Sequence, residues 1–383
     1  MKQQHTGNLL MVSNYPSSTA YAWWLMEHFW VIQSEYFTHA GKSTYLAYPQ
    51  ITTLPDKITN SQIQTVELSF SWRTRNDFFS LLKFIKENKI SNLYLTDQPY
   101  FSFRYLLLRF FGVKHVVIHD HTPGDRPPVN GLKGFIKSLK NNIPWLTADY
   151  ILCVSELMRQ RNISNARLSV HKCIVVQNGI KPIICSPEKN KLLLEKLNIA
   201  PECIKIVTSG RAHPYKRFDF IIECANIVKS RAPDLDIVFI LIGDGPAMPV
   251  LQKLVQKYQL ESLVHLLGFR NDVHDLLCSS DIALHAALGE GFSLSIIEYM
   301  SAGLPVLVPD IPSVSQATKH NETGFIYSKD DTNAVANYIL SLAADSKNRT
   351  EMGNKAKLSA TSSYSLDRCT SEFMSTIELI YSN

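Results

Sequence analysis

Two glutamates, Glu290 and Glu298, lie in a stretch whose residue types suit a ligand that is part phosphate and part polyol: Leu288–Gly303, LGEGFSLSIIEYMSAG. Gly289-Glu290-Gly291 forms a turn that runs into an apolar pattern, Phe292, Leu294, Ile296, Ile297 and Met300, as in a helix packed on a sheet. Ser293 falls in the first turn of that helix, where free backbone N–H groups and the helix dipole attract anions. An ionised carboxylate accepts from two adjacent hydroxyls, so a glutamate on either side of a bound phosphate suits a nucleotide sugar. The same spacing also fits an ordinary βα turn with two solvated glutamates, and the surroundings decide between the two.

Those surroundings are cationic at one strand end. Gly210-Arg211-Ala212-His213-Pro214-Tyr215-Lys216-Arg217 follows the apolar run Ile204–Ser209. Arg211 and Lys216 are two long cations placed where a diphosphate would sit. Lys216-Arg217 also opens a helix, an electrostatically poor place for cations unless an anion compensates. Gly268-Phe269-Arg270 ends another run and is a candidate lining for a nucleotide base. Nearer the N-terminus, His119-Asp120-His121-Thr122-Pro123-Gly124-Asp125-Arg126 packs two histidines, two acids and an arginine into eight residues past a strand end. It reads as a catalytic or sugar-binding loop, or as a polar loop capped by Asp and Pro. A metal site is not expected, because H-x-H supplies two ligands and no third is evident.

The elements that position these residues alternate. Short β-rich runs at Asn8–Asn14, Ser43–Tyr48, Gln64–Ser69, Asn92–Thr96, His115–His119, Tyr150–Val154 and Cys173–Gln177 are separated by amphipathic stretches, among them Thr19–Ile32, Phe103–Phe111 and Leu132–Asn142. The pattern repeats from Ile204 to Tyr327. The expected fold class is α/β, with two doubly wound parallel sheets whose ligands bind at the carboxyl ends of the strands. The domains change over near Asn178–Pro182, giving 1–183, 184–364 and a final helix in 365–383.

Length, 383 residues, allows two such domains. No apolar run is long enough to span a bilayer and the N-terminus, MKQQHTGN, has no signal-peptide core, so a cytoplasmic protein is expected. Seven cysteines scattered singly suggest reduced thiols, with neither a disulfide framework nor a zinc site. Residues 1–183 hold 20 Lys+Arg against 11 Asp+Glu, and residues 184–383 hold 19 against 23. The basic half implies an anionic partner there, a membrane surface or a phosphate-bearing acceptor; nucleic acid is not expected, since no such motif is present. Lys133, Lys137 and Lys140 interleave with Phe135, Ile136 and Leu139, which fits a helix lying on anionic lipid or a core-facing helix with a solvated lysine face. The aromatic stretch Tyr21–Tyr36 carries the same two readings, with core the commoner one.

The second half resembles the retaining nucleotide-sugar-dependent glycosyltransferases of family 4, which have the GT-B fold. The resemblance rests on G-R-x4-K-R (Gly210–Arg217), L-I-G-D-G-P (Leu241–Pro246), L-G-F-R-N-D-V (Leu267–Val273), E-G-F-S-L-x3-E (Glu290–Glu298), A-G-L-P-V (Ala302–Val306) and N-E-T-G-F (Asn321–Phe325). A-D-Y-I-L-C-V-S (Ala148–Ser155) and V-V-Q-N-G-I (Val175–Ile180) extend it into the first half. It implies two Rossmann-like domains facing a cleft, a C-terminal helix crossing back to the first domain, and metal-free transfer with retention. It further implies that Arg211 and Lys216 neutralise the leaving diphosphate, that Glu298 holds the ribose and Glu290 the donor sugar, and that the amides of Gly291, Phe292 and Ser293 cradle phosphate. The family's first-domain histidine maps onto His119, with His121 as competitor. The chain departs from the pattern in two places: Tyr15-Pro16-Ser17-Ser18-Thr19 replaces a Gly-Gly loop, and Ala286-Ala287-Leu288 replaces a Pro-Ser. A UDP-sugar donor and a lipid-linked or envelope-glycan acceptor are expected. An epimerase of the same architecture and a catalytically silent scaffold subunit are the rival readings.

Overall fold

A computed structural model describes residues 7–19, 23–71, 74–124 and 127–382. Tyr21, Asp125, Arg126 and most of the polar N-terminal segment lie outside the described residues. The chain divides into two compact units, Met1–Gln177 with Cys369–Asn383, and Asn178–Arg368.

The first unit is a parallel sheet of β1 (Asn8–Val12), β2 (Thr44–Tyr48), β3 (Gln64–Glu67), β4 (Ile90–Thr96), β5 (His115–Asp120), β6 (Tyr150–Cys153) and β7 (Cys173–Val175), in the order β3-β2-β1-β4-β5-β6-β7. The second holds β8 (Ile204–Ser209), β9 (Ile237–Ile242), β10 (Val264–Leu266), β11 (Ile282–Leu284), β12 (Val306–Pro309) and β13 (Gly324–Tyr327), in the order β10-β9-β8-β11-β12-β13. Helices cover both faces, so central strands read as unbroken apolar runs; IVFILI of β9 is buried throughout. Each order reverses direction once, at β1/β4 and at β8/β11. Crevices for ligands open at such switch points, outside the carboxyl ends of the strands. Arg211 and Lys216 follow β8, and Glu290 follows β11.

Several expectations need correction. The division falls after Gln177 rather than after Ile183, because Ile180 pairs with Ser365 and the Ile183 amide donates to Ser301 Oγ at 3.0 Å, tying this segment to the second unit. The C-terminal helix Leu366–Tyr381 changes units at Cys369, and Phe373 packs its ring against Phe29, Tyr94 and His119 in the first. The aromatic helix runs Trp24–His39, with Phe29 and Trp30 in the core. A helix at Ser346–Ser363 had no sequence signature, since its buried face is Met352, Gly353, Ala356 and Ala360. Among the described residues no helix is long and apolar enough to cross a membrane.

The reduced-thiol expectation is overturned by a disulfide between Cys185 and Cys278, 93 residues apart. Cys153, Cys173, Cys203, Cys224 and Cys369 are buried. The bridge pins the segment before the helix Pro187–Lys196 to the end of the helix Val273–Cys278. A loop of this length lowers the entropy of the unfolded chain by an amount worth roughly 4–5 kcal/mol in the chain-entropy account. Reductant is therefore expected to lower the thermal midpoint of the wild type, and Cys185→Ser to start from the lower midpoint and ignore reductant. A wild-type midpoint indifferent to reductant would contradict the bridge.

Candidate active site

Lys216 and Glu290 meet. The Lys216 ammonium donates to Glu290 Oε1, and both side chains are largely buried. Lys216 comes from the short 3-10 turn Pro214–Lys216 after β8, and Glu290 from the loop between β11 and the helix Leu294–Ser301. His285, the first residue past β11, joins them: its Nε2 lies 3.4 Å from the same Oε1, and the side chain is only 2% exposed. Burial works against the Glu290 carboxylate, but the Lys216 ammonium and His285 outweigh it and hold its pKa down to about 2. Burial likewise works against the Lys216 charge and Glu290 outweighs it, so the lysine pKa is raised. For His285 burial prevails and lowers the pKa, favouring the neutral ring.

The loops are held to each other by backbone and tyrosines. Leu288 N donates to Tyr215 O at 2.9 Å. Tyr299, fully buried on the helix Leu294–Ser301, accepts from Ser209 N at 2.6 Å and donates to Ser209 O at 3.0 Å, fastening the end of β8 to that helix. Tyr327, at the end of β13, donates to His285 O at 2.8 Å. At Gly243 (φ 137°) the turn after β9 lies so close to the turn after β8 that a Cβ would sit 1.7 Å from Gly210 O. Only glycine fits there.

The amides of Gly291, Phe292 and Ser293 have no hydrogen-bond partner among the described residues, and Ser293 is the N-cap of the helix with no side-chain cap bond. These are the groups an anion would satisfy. Arg211 is exposed and has no ionic partner among the described residues. The other cations are compensated internally. Arg217, in the left-handed region (φ 55°), pairs with Asp330 at 2.8 Å, which resolves the conflict of a cation at the start of the helix Phe218–Arg231. Arg270 forms a two-pronged pair with Asp272 at 2.8 and 2.5 Å and is not free to line a base, whereas the neighbouring Phe269 is exposed. Glu298 faces His274, with Nε2 3.8 Å from its Oε1, and raises the histidine pKa. His285, Tyr299, Tyr327 and His274 were not singled out from sequence; a lone histidine ending an apolar strand was the available signal for His285.

The two histidines of the first unit differ in burial. His119 is fully buried, its Nδ1 2.5 Å from Tyr94 Oη and its ring packed on Phe29 and Phe373. Burial, with a smaller effect of His121, drives its pKa well down. The reading of His119 as a sugar contact is corrected: it is a neutral core histidine. His121 is partly exposed at the strand end, its amide donating to Asp97 Oδ1 at 2.6 Å and its Nδ1 3.7 Å from that oxygen. Asp120 is structural as well. It accepts from Tyr100 Oη (2.6 Å), Thr122 Oγ1 (2.6 Å) and Asn162 Nδ2 (3.0 Å) and pairs with buried Arg161 at 3.3 Å.

The model of the family described as Glycosyl transferases group 1 matches residues 190–359. The match lies within the second unit, Asn178–Arg368. Among similar proteins, an N-acetyl-alpha-D-glucosaminyl L-malate synthase of Bacillus anthracis is 28% identical over 37% of this chain and 37% of its own length. A UDP-Gal:alpha-D-GlcNAc-diphosphoundecaprenol alpha-1,3-galactosyltransferase of Escherichia coli is 28% identical over 55% of this chain and 56% of its own. The chain thus spans between about a third and just over half of the length of these relatives. The crystal structure of a glycosyltransferase from Rickettsia africae superposes with a TM-score of 0.78 at 17% identity, covering 98% of both chains. That likeness shows the fold: GT-B, built of two Rossmann-like units.

The buried pair dictates an acid limb of stability. Glu290 titrates near 4.5 when unfolded and at about 2 when folded. Its contribution is complete above pH 4.5 and is lost as pH falls toward 2, roughly 3 kcal/mol in all. Glu290→Gln is expected to be less stable than wild type at neutral pH, with the gap closing across that window in urea unfolding. A gap that stays constant down to the acid end would refute the pairing.

Proposed function

We propose that the chain transfers a sugar from a nucleoside diphosphate sugar, a UDP-sugar in particular, to a hydroxyl acceptor with retention of anomeric configuration. The observation that carries this is the Lys216–Glu290 contact. One hydrogen bond joins the cation assigned to the diphosphate and the carboxylate assigned to the sugar, and the scissile anomeric C–O bond of a nucleotide sugar lies between those two parts. The open amides of Gly291, Phe292 and Ser293 and the unpaired Arg211 supply further positive ends for the phosphates, while Glu298 is left for the ribose hydroxyls.

The chemistry follows from charge. As the sugar leaves, negative charge grows on the diphosphate, and Arg211, Lys216 and the helix amides stabilise it without a metal ion being required of the reading. Glu290 orients the sugar while His285, neutral and buried, holds the carboxylate.

For the acceptor we propose a lipid-linked or envelope-glycan intermediate of bacterial polysaccharide synthesis, acted on at the cytoplasmic face of the membrane. The diphosphoundecaprenol acceptor in the name of the Escherichia coli relative and the basic first half of this chain support it.

The test is a thermal-shift and sugar-release screen with UDP-, GDP- and ADP-sugars in the absence of added metal. UDP-sugars are expected to stabilise the protein and to be hydrolysed slowly. Arg211→Ala removes an exposed side chain, so it should leave the melting temperature in place while lowering turnover by about 10²–10³. Full turnover in that variant would sink the assignment of Arg211, and indifference to every nucleotide would sink the donor reading itself.

A further inference from the structure

The helix Gly131–Asn142 is turned inside out. Its protein-facing side is polar or bare: Asn141 Nδ2 donates to Ala166 O at 2.6 Å and Asn142 Nδ2 to Arg167 O at 2.7 Å. Gly134 lies so close to Val129 that a Cβ would be 2.4 Å from the carbonyl oxygen. The apolar stripe, Leu132, Phe135, Ile136 and Leu139, faces solvent, each side chain more than half exposed. The expected alternative, a core-facing helix with a solvated lysine face, is therefore wrong on its apolar side.

The stripe does not end with this helix. Phe103 and Phe110 of the helix Phe103–Phe110 and Trp145 of the following loop are exposed to the same degree. The segments adjoin: Ser102 N donates to Leu146 O at 2.8 Å, Arg109 Nε to Trp145 O at 3.3 Å, and Lys140 Nζ stands 4.8 Å over the Phe101 ring. An open groove of about 540 Å³, lined by Leu139, Ile143, Pro144 and Leu168 among others, borders the stripe. Charge is as uneven as hydropathy. Residues 98–149 hold seven Lys+Arg against three Asp+Glu, a net +4; of the acids, Asp120 is buried and Asp149 pairs with Arg109 at 2.8 Å. Lys133, Lys137 and Lys140 share the helix with no acid at all.

We propose that this face docks on an anionic phospholipid bilayer, with the apolar side chains entering the interface and the lysines meeting the headgroup phosphates. Contiguous exposed apolar surface marks an interaction site, and a stripe flanked by lysines matches the requirements of an interfacial helix. A second copy of the chain fits less well, because it would bring two sets of lysines together with no carboxylate on either helix to meet them. The inference deepens the acceptor half of the proposed function and rests on it for its purpose only, since docking is measured without donor or acceptor.

The experiment is co-sedimentation of the full chain with phosphatidylcholine vesicles, with and without phosphatidylglycerol, at low and high salt. Binding to the anionic vesicles alone, weakened by salt, is expected. Lys133→Glu/Lys137→Glu/Lys140→Glu should weaken it by about fivefold per lysine, or roughly a hundredfold together. Phe135→Ser/Ile136→Ser/Leu139→Ser should also release the protein, and all these residues are exposed or half-exposed, so unchanged thermal melts are expected to accompany both losses. Donor hydrolysis by either variant should match wild type, which separates failed docking from failed chemistry. Absence of binding to anionic vesicles, binding indifferent to both triple variants, or a dimer in sedimentation equilibrium that the serine variant dissolves would each overturn the proposal.

Discussion

A buried ammonium and a buried carboxylate cost several kcal/mol each in lost hydration, and their attraction offsets this only when geometry is tight and the remaining polar atoms are satisfied. Lys216 and Glu290 impose that condition on the second unit. They come from loops that are distant in sequence, so loop wander would leave two unpaired charges in an apolar surround. The bonds that prevent it are spread over every neighbouring strand end: Tyr299 on Ser209, Tyr327 on the His285 carbonyl, Leu288 on Tyr215, and the close approach at Gly243. The same rigidity is what transition-state electrostatics needs, because dipoles already fixed in place cost no reorganisation when charge develops.

Much of this was legible beforehand because parallel strands buried on both faces leave a plain signature. Runs such as IVFILI and IKIVTS can be little else, and once the alternation is seen, the switch-point rule directs attention to the loops after β8 and β11. What stayed hidden depends on three-dimensional pairing. Tyr299 reads as one more apolar helix residue, and only the fold brings its hydroxyl to Ser209. Cys185 and Cys278 stand 93 residues apart with no local motif, so isolated cysteines concealed a bridge. The helix Ser346–Ser363 packs through Gly and Ala, which carry no hydrophobic periodicity.

The run from His119 to Arg126 misled for an instructive reason. A density of polar residues past a strand end signals either ligand chemistry or mutual compensation, and composition does not separate the two. Here β5 extends through Asp120, one pleat further than its apolar pattern suggests, so His119 and Asp120 remain inside the sheet. Tyr94 on the adjacent strand takes up the histidine, and Arg161, Tyr100 and Asn162 take up the aspartate. His121 is the first of the run to clear the sheet.

Both units pair cations internally, but they differ in the charge left over, and the difference fits the two kinds of anion proposed. In the second unit cations are neutralised within hydrogen-bonding distance, Lys216 by Glu290, Arg217 by Asp330 and Arg270 by Asp272, leaving Arg211 and a helix N-terminus open. Such a site presents little net field and recognises a compact anion by geometry. In residues 98–149 of the first unit the bases outnumber the acids seven to three, and Lys133, Lys137 and Lys140 share a helix with an exposed apolar stripe. A summed field of one sign is ill suited to discriminating a single phosphate, but it draws in an extended anionic surface. The excess of bases thus lies in the half of the chain that carries the proposed lipid-facing stripe, while ion pairs of the second unit hold its loops in register.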